Sequence, residues 1–229
     1  MNRWFIVGIV LTVLAFGASG FIWAYADELL PEMVPVHWGI DGQPDRFVER
    51  DSMFWYLMLP PLLMLGALGM WKVLPWLSPK NFEPQANPTV YEFVMFLVVL
   101  LFGFMHVAIL YGYIGPPDVL VRLLLTGMCA FFILMGNVLG QVPRNFYVGV
   151  RTPWTIASNV VWIKTHRMAA WCFVVAGLVG LFPVVLNLPP AVLFGVFLGT
   201  ILPAALAPIF YSLWLYKKLE REGKLDLAT

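Results

Sequence analysis

The sequence is short of charge. Asp, Glu, Lys and Arg make up only 12% of its 229 residues, apolar residues make up 61%, and mean hydropathy is +0.82. A water-soluble domain carries roughly 25% charged residues and needs them for its coat. That class is excluded, and lipid must act as the solvent. Cysteine is scarce too: Cys129 and Cys172 lie inside apolar runs, without CxxC spacing. This leaves neither a disulfide framework nor a cysteine-based zinc site, so both read as small buried hydrophobes. A net charge of +1 gives no bulk attraction to nucleic acid, and no direct nucleic-acid binding is expected. The sequence also lacks HExxH, GxSxG and any phosphate-cradling glycine loop. It is read as a non-enzyme, with no cofactor and no metal.

What the sequence has is long apolar runs. Six qualify as spans of about 20 residues: Trp4–Ala26, Met53–Trp71, Thr89–Tyr113, Val119–Gly140, Met168–Asn187 and Ala191–Tyr216. The first is too long for the core of a signal peptide and lacks a small-x-small cleavage site before Asp27, so it reads as a retained helix. The fold class is therefore an all-α membrane protein: a six-transmembrane helical bundle with a compact extracellular loop and a cytoplasmic interfacial helix. Two units are expected. Residues 1–76 form a two-helix unit with an extracellular flap (27–52), and 77–229 a four-helix unit with a cytoplasmic loop (136–167).

Charge sets the orientation. With the N-terminus inside, eleven of the fourteen Lys and Arg fall on the cytoplasmic side: Arg3, Lys72, Lys80, Arg144, Arg151, Lys164, Arg167, Lys217, Lys218, Arg221 and Lys224. Basic residues resist translocation, so both termini are expected in the cytoplasm. Tryptophan and tyrosine near the span ends, such as Trp4, Trp23, Trp71 and Tyr113, suit the headgroup zone. Gly66/Gly69 and Gly195/Gly199 have the spacing of close helix packing, within one chain or in a homo-oligomer.

Two connections are unusual. The outer one, 27–52, is too apolar for a disordered linker. Val34, Val36 and Trp38 alternate with Pro35, His37 and Gly39, the mark of an extended segment with two faces. Asp41-Gly42 and Gln43-Pro44-Asp45 signal turns, so a flap folded onto the bundle mouth is expected. His37, Asp41 and Asp45 are too sparse a set for a metal and are read as hydrogen-bonding the flap. In the inner connection, Thr152-Pro153 starts a helix that is expected to run to about Lys164. Its stripe of Trp154, Ala157, Val161 and Thr165 would lie in the membrane interface, with Arg144, Arg151, Lys164 and Arg167 facing anionic headgroups.

One further feature lies within a span. His106, with Glu92 and Asn137, supports an alternative reading as a small-molecule or proton-coupled transporter or a membrane-embedded enzyme. A single interhelical hydrogen bond would equally satisfy His106 as a structural residue.

The two connections together resemble the SdpI family, membrane immunity proteins of the sporulation-delaying-protein toxin system. The inner segment carries Gly136-Asn137, Asn145, Gly149-Val150-Arg151-Thr152-Pro153-Trp154-Thr155, Trp162 and Lys164-Thr165-His166-Arg167. The outer loop is similar to an N-terminal domain of unknown function often fused to that family, through Leu30-Pro31, Val34-Pro35-Val36-His37-Trp38, Gly42 and Pro44-Asp45-Arg46. The resemblance also leads to acidic residues where this chain has Asn159 and Val160. It implies a bacterial plasma-membrane protein that protects against a membrane-active peptide toxin and recruits a cytoplasmic helix-turn-helix repressor. On that reading His37, Trp38, Asp41, Gly42, Pro44, Asp45 and Arg46 meet the toxin outside. Asn137, Arg144, Asn145, Gly149, Arg151, Thr152, Pro153, Trp154, Trp162, Lys164, Thr165, His166 and Arg167 form the inner functional loop.

Overall fold

The computed structural model describes residues 2–82 and 86–226. Within the connection 77–88, residues 83–85 lie outside the described residues. Among the described residues, six helices are long and apolar enough to cross a membrane. They are α1 (Arg3–Ala24), α3 (Phe54–Leu77), α4 (Pro88–Ile114), α5 (Pro117–Leu139), α7 (Asn159–Val185) and α8 (Pro190–Arg221), with two short helices, α2 (Ala26–Leu29) and α6 (Pro153–Ala157), between them. α1, α3 and α4 share one core around Met64, Leu68, Trp71, Met95 and Val99. α5, α7 and α8 pack together as a second group, and α4 joins the two by lying against α5.

Prolines inside α3 dictate how it docks. A proline has no N–H and leaves the carbonyl four residues earlier without its helical partner. In hydrocarbon such an orphan costs several kcal/mol. Pro61 frees the Leu57 carbonyl, which accepts the Ser19 hydroxyl of α1 at 2.7 Å. Pro75 frees the Trp71 carbonyl, which accepts the Tyr91 hydroxyl of α4 at 2.6 Å. The register of α3 against both neighbours is thus set by two hydroxyls. His106 joins the first of these ties: its Nε2 lies 3.2 Å from both Ser19 Oγ and the Ala15 carbonyl. Since the Ser19 proton goes to Leu57, the imidazole N–H faces two acceptors.

The outer connection is a hairpin. β1 (Met33–Trp38) pairs antiparallel with β2 (Pro44–Glu49), Val34 opposite Val48 and Trp38 opposite Pro44. Gly42 turns the chain at φ 80°, and the Asp41 carboxylate accepts the Gln43 N–H at 3.1 Å. Alternation divides the faces as expected. Val34 is fully buried against Leu57, Met53 and Tyr113, with Val36 and Trp38 packed around them. The flap therefore sits on the end of α4.

The helix expected over Pro153 to Lys164 is instead two helices, and this corrects its extent. Only α6, five residues long, lies apart from the span, while Asn159 onward already belongs to the 27-residue α7. The break is at Ser158, which is extended (φ −139°, ψ 128°) and whose Oγ accepts the Val161 N–H at 3.2 Å. A side chain that caps a new helix competes with continuing the old one. Trp154 and Val161 still meet, around Leu215 and Leu219 of α8.

Candidate functional site

The segment from Val142 to Thr152 has no regular structure of its own, so its backbone groups must find partners elsewhere. Asn145, fully buried, supplies several. Its amide oxygen accepts the Tyr147 and Val148 N–H groups at 2.7 and 2.8 Å, and its nitrogen donates to the Pro143 and Val148 carbonyls at 2.7 and 3.2 Å. One side chain thus closes the turn from both sides.

α7 holds the loop from beneath. The Trp162 indole N–H donates to the Val142 carbonyl at 2.8 Å. One turn on, His166 Nε2 accepts the Val150 N–H at 3.0 Å. An acceptor at Nε2 requires the other ring nitrogen to carry the proton, and Nδ1 lies 2.8 Å from the Trp162 carbonyl. The neutral imidazole is therefore the form that fits. The two rings stack at 3.9 Å. Gly149 lies against the imidazole, at φ 112°; a Cβ there would meet the ring, and an L side chain would be strained.

The α6 start completes the fastening. Thr152 and Thr155 form a capping box, and the Thr155 hydroxyl donates to the Val150 carbonyl at 2.8 Å. The Thr152 hydroxyl lies 3.1 Å from Ser212 of α8. Arg144 donates to the Ile156 carbonyl at 3.1 Å and lies over the Phe82 ring, and Arg151 donates to the Phe146 carbonyl. The Asp226 carboxylate bonds the Ser158 hydroxyl at 2.5 Å and the Val160 N–H. It occupies the helix start, where an anion is favoured.

The residues singled out from sequence thus divide. Asn145, Thr152, Trp162 and His166 are buried and fasten the loop; Thr165 is buried without a partner for its hydroxyl among the described residues; Arg151, Pro153, Lys164 and Arg167 are exposed on its surface; Arg144, Gly149 and Trp154 are intermediate. Asn137 does not join them: it is exposed on α5, and its amide donates to the Ile133 carbonyl of its own helix. Sequence reasoning missed Ser212 and Asp226, whose partners lie 60 and 68 positions away, so no local pattern marked them.

At the other end of the bundle, His37 and Asp45 bond at 2.6 Å on the outward face of the hairpin. Their side chains are 59% and 54% exposed, so they are available to a partner. Trp38 faces inward, beside Tyr113. The base of the flap is fixed by Arg50, which sequence reasoning passed over: it pairs with Asp27 at 2.8 Å and donates to the Leu30 carbonyl at 3.3 Å. Among the described residues no three His, Cys, Asp or Glu side chains come together as a metal site.

Comparison with known proteins covers both ends. Residues 141–212 match the SdpI/YfhL protein family, and residues 10–65 match a domain of unknown function, DUF1648. The chain is similar to Immunity protein SdpI of Bacillus subtilis (strain 168), 25% identical over 178 residues that cover 76% of this chain and 78% of that protein. No solved structure matches. The first match takes in the fastened loop, α6, α7 and most of α8, and the second takes in the flap. The inner loop thus lies in a segment similar to the SdpI/YfhL protein family, and the flap in a segment similar to DUF1648.

Proposed function

We propose that this protein is a membrane immunity protein that protects the cell by binding a membrane-active peptide toxin at its outer flap. The observation that carries the reading is its similarity to Immunity protein SdpI over three quarters of the chain. Orientation follows from the basic residues: the loop 136–167 and both termini face the cytoplasm, and the flap faces out. The exposed flap residues His37, Asp41, Asp45 and Arg46 meet the peptide, and Trp38 links them to α4. The exposed Arg151, Lys164 and Arg167 are the output surface, where guanidinium groups pair with acidic groups of a helix-turn-helix repressor. Toxin changes that surface only by binding two conformations with different affinity.

The test is survival of toxin-challenged cells that express the protein, with membrane recruitment of a fluorescent repressor as a second readout. His37→Ala should lower protection and recruitment together, whereas Arg151→Ala should lower recruitment more. Undiminished protection and recruitment in both variants would remove these sites from the reading.

A second reading rests on His106. Its Nδ1 is buried without a partner among the described residues, which suits a proton acceptor in a transporter. Substrate-linked proton flux in vesicles, abolished by His106→Leu, would favour it. Absence of flux would leave His106 as the tie between α1 and α4.

A further inference from the structure

A cavity of about 490 Å³ lies between α4, α5, α7 and α8, and the loop residues Tyr147–Thr152 close one end of it. That is within the roughly 300–1,000 Å³ of small-molecule sites. Its walls are hydrocarbon: Val94 and Val98 from α4, Phe131 and Met135 from α5, Phe173 from α7 and Ile209 from α8. Its polar groups are gathered at the loop end. The Thr152 hydroxyl there is already engaged, by Thr155 and Ser212.

Other donors at that end are free. The Val148, Val150 and Thr152 N–H groups are bonded to Asn145, His166 and Thr155. Those of Gly149 and Arg151, between them, have no partner among the described residues. The exposed Arg151 guanidinium gives one bond to the Phe146 carbonyl, and no carboxylate of the described residues pairs with it. A cation beside free backbone N–H groups binds anions, and the space behind them suits an alkyl chain.

We propose that this cavity binds an anionic lipid, one acyl chain lying between α4, α5 and α7 and its carboxylate or phosphate held at Arg151 and the adjacent N–H groups. The geometry matches a lipid of the leaflet on the loop side, whose head lies at the helix ends and whose tail points inward. Asn145 and His166 then serve this site as positioning residues, because they orient the N–H groups around it. The proposal is independent of the flap and of any toxin.

The test uses the full chain in a neutral detergent, titrated with cis-parinaric acid and with its uncharged methyl ester. The acid should bind saturably and about tenfold tighter than the ester, the scale of a charge-assisted contact. Arg151→Gln should bring the acid down to the affinity of the ester and leave the ester unchanged. Val98→Trp and Ile209→Trp, which fill the cavity from different helices, should each abolish binding of both. Either one that keeps the wild-type unfolding midpoint suffices. Displacement by phosphatidylglycerol would identify a phospholipid as the source, and displacement by oleate alone a free fatty acid. Equal binding of acid and ester, or binding that persists in a folded cavity-filling variant, would overturn the proposal.

Discussion

His166 accepts the Val150 N–H at 3.0 Å, so a residue of the fifth span holds the backbone of a loop sixteen positions earlier. Replacing it by Phe keeps the ring and its stack on Trp162 but leaves that N–H without an acceptor. A buried donor left unpaired costs about 1–3 kcal/mol. His166→Phe should lower the thermal unfolding midpoint and speed amide exchange at Val150. His166→Gln, which can still accept, should recover part of the loss.

Gly149 and Gly66 make a contrast. Gly149 combines φ 112° with the imidazole in the place of a Cβ, whereas nothing lies within 4 Å of a Cβ at Gly66. Gly149→Ala should destabilise by about 1–3 kcal/mol, and loop exchange should report it. Gly66→Ala, in mid-helix, should be neutral or stabilising by up to ~1 kcal/mol. Equal unfolding midpoints for the two variants would contradict the close approach of loop and α7.

Ser19 and Pro61 should be coupled, because the hydroxyl serves a carbonyl that the proline strands. Ser19→Ala alone should cost about 0.6 kcal/mol, the average for polar contacts between membrane helices. Pro61→Ala restores an N–H that can bond Leu57 within α3. In that background Ser19→Ala should cost less, and a double-mutant cycle on unfolding free energies reads the difference. Strict additivity would mean that the hydroxyl contributes nothing through this carbonyl.

The flap should be sensitive at its base and tolerant at its tip. Arg50 reaches both Asp27 and the Leu30 carbonyl, so Arg50→Met should raise proteolysis of the hairpin severalfold. The His37–Asp45 pair is exposed, and exposed pairs are worth about 0.2–1 kcal/mol. Asp45→Asn should therefore leave proteolysis near the wild-type rate, and any loss of protection in that variant reflects binding rather than folding.

The six spans were legible because each is a long apolar run, and length alone decides between a span and a core helix. The first strand and the turn of the flap were legible too, since Val34, Val36 and Trp38 alternate and Asp41-Gly42 turns the chain, but the second strand, Pro44–Glu49, and its pairing were not, because no alternation marks it. The start of α6 was legible from Thr152-Pro153, but its end was not. Periodicity runs on through Val161 and Thr165, and the residue that helps to stop the helix, Asp226, lies 68 positions from Ser158. The inner residues read as one segment in the sequence, yet their pattern did not separate those that fasten the loop, such as Asn145 and His166, from those that face outward, such as Asn137, Lys164 and Arg167. Burial makes that distinction, and it depends on α7 and α8 together.

α4 touches both ends of the molecule. Tyr113 at its last turn packs with the hairpin residue Val34, and Val90 and Val94 at its first turns pack with Val142 and Trp162 beside the inner loop. With 27 residues it is a rod about 40 Å long. It carries no internal proline to absorb bending between those two contacts. A sideways push on Tyr113 would pivot the rod as one piece and reappear, reversed in direction, under Trp162, so news of an event at one membrane face can reach the other as leverage, with no helix melting on the way.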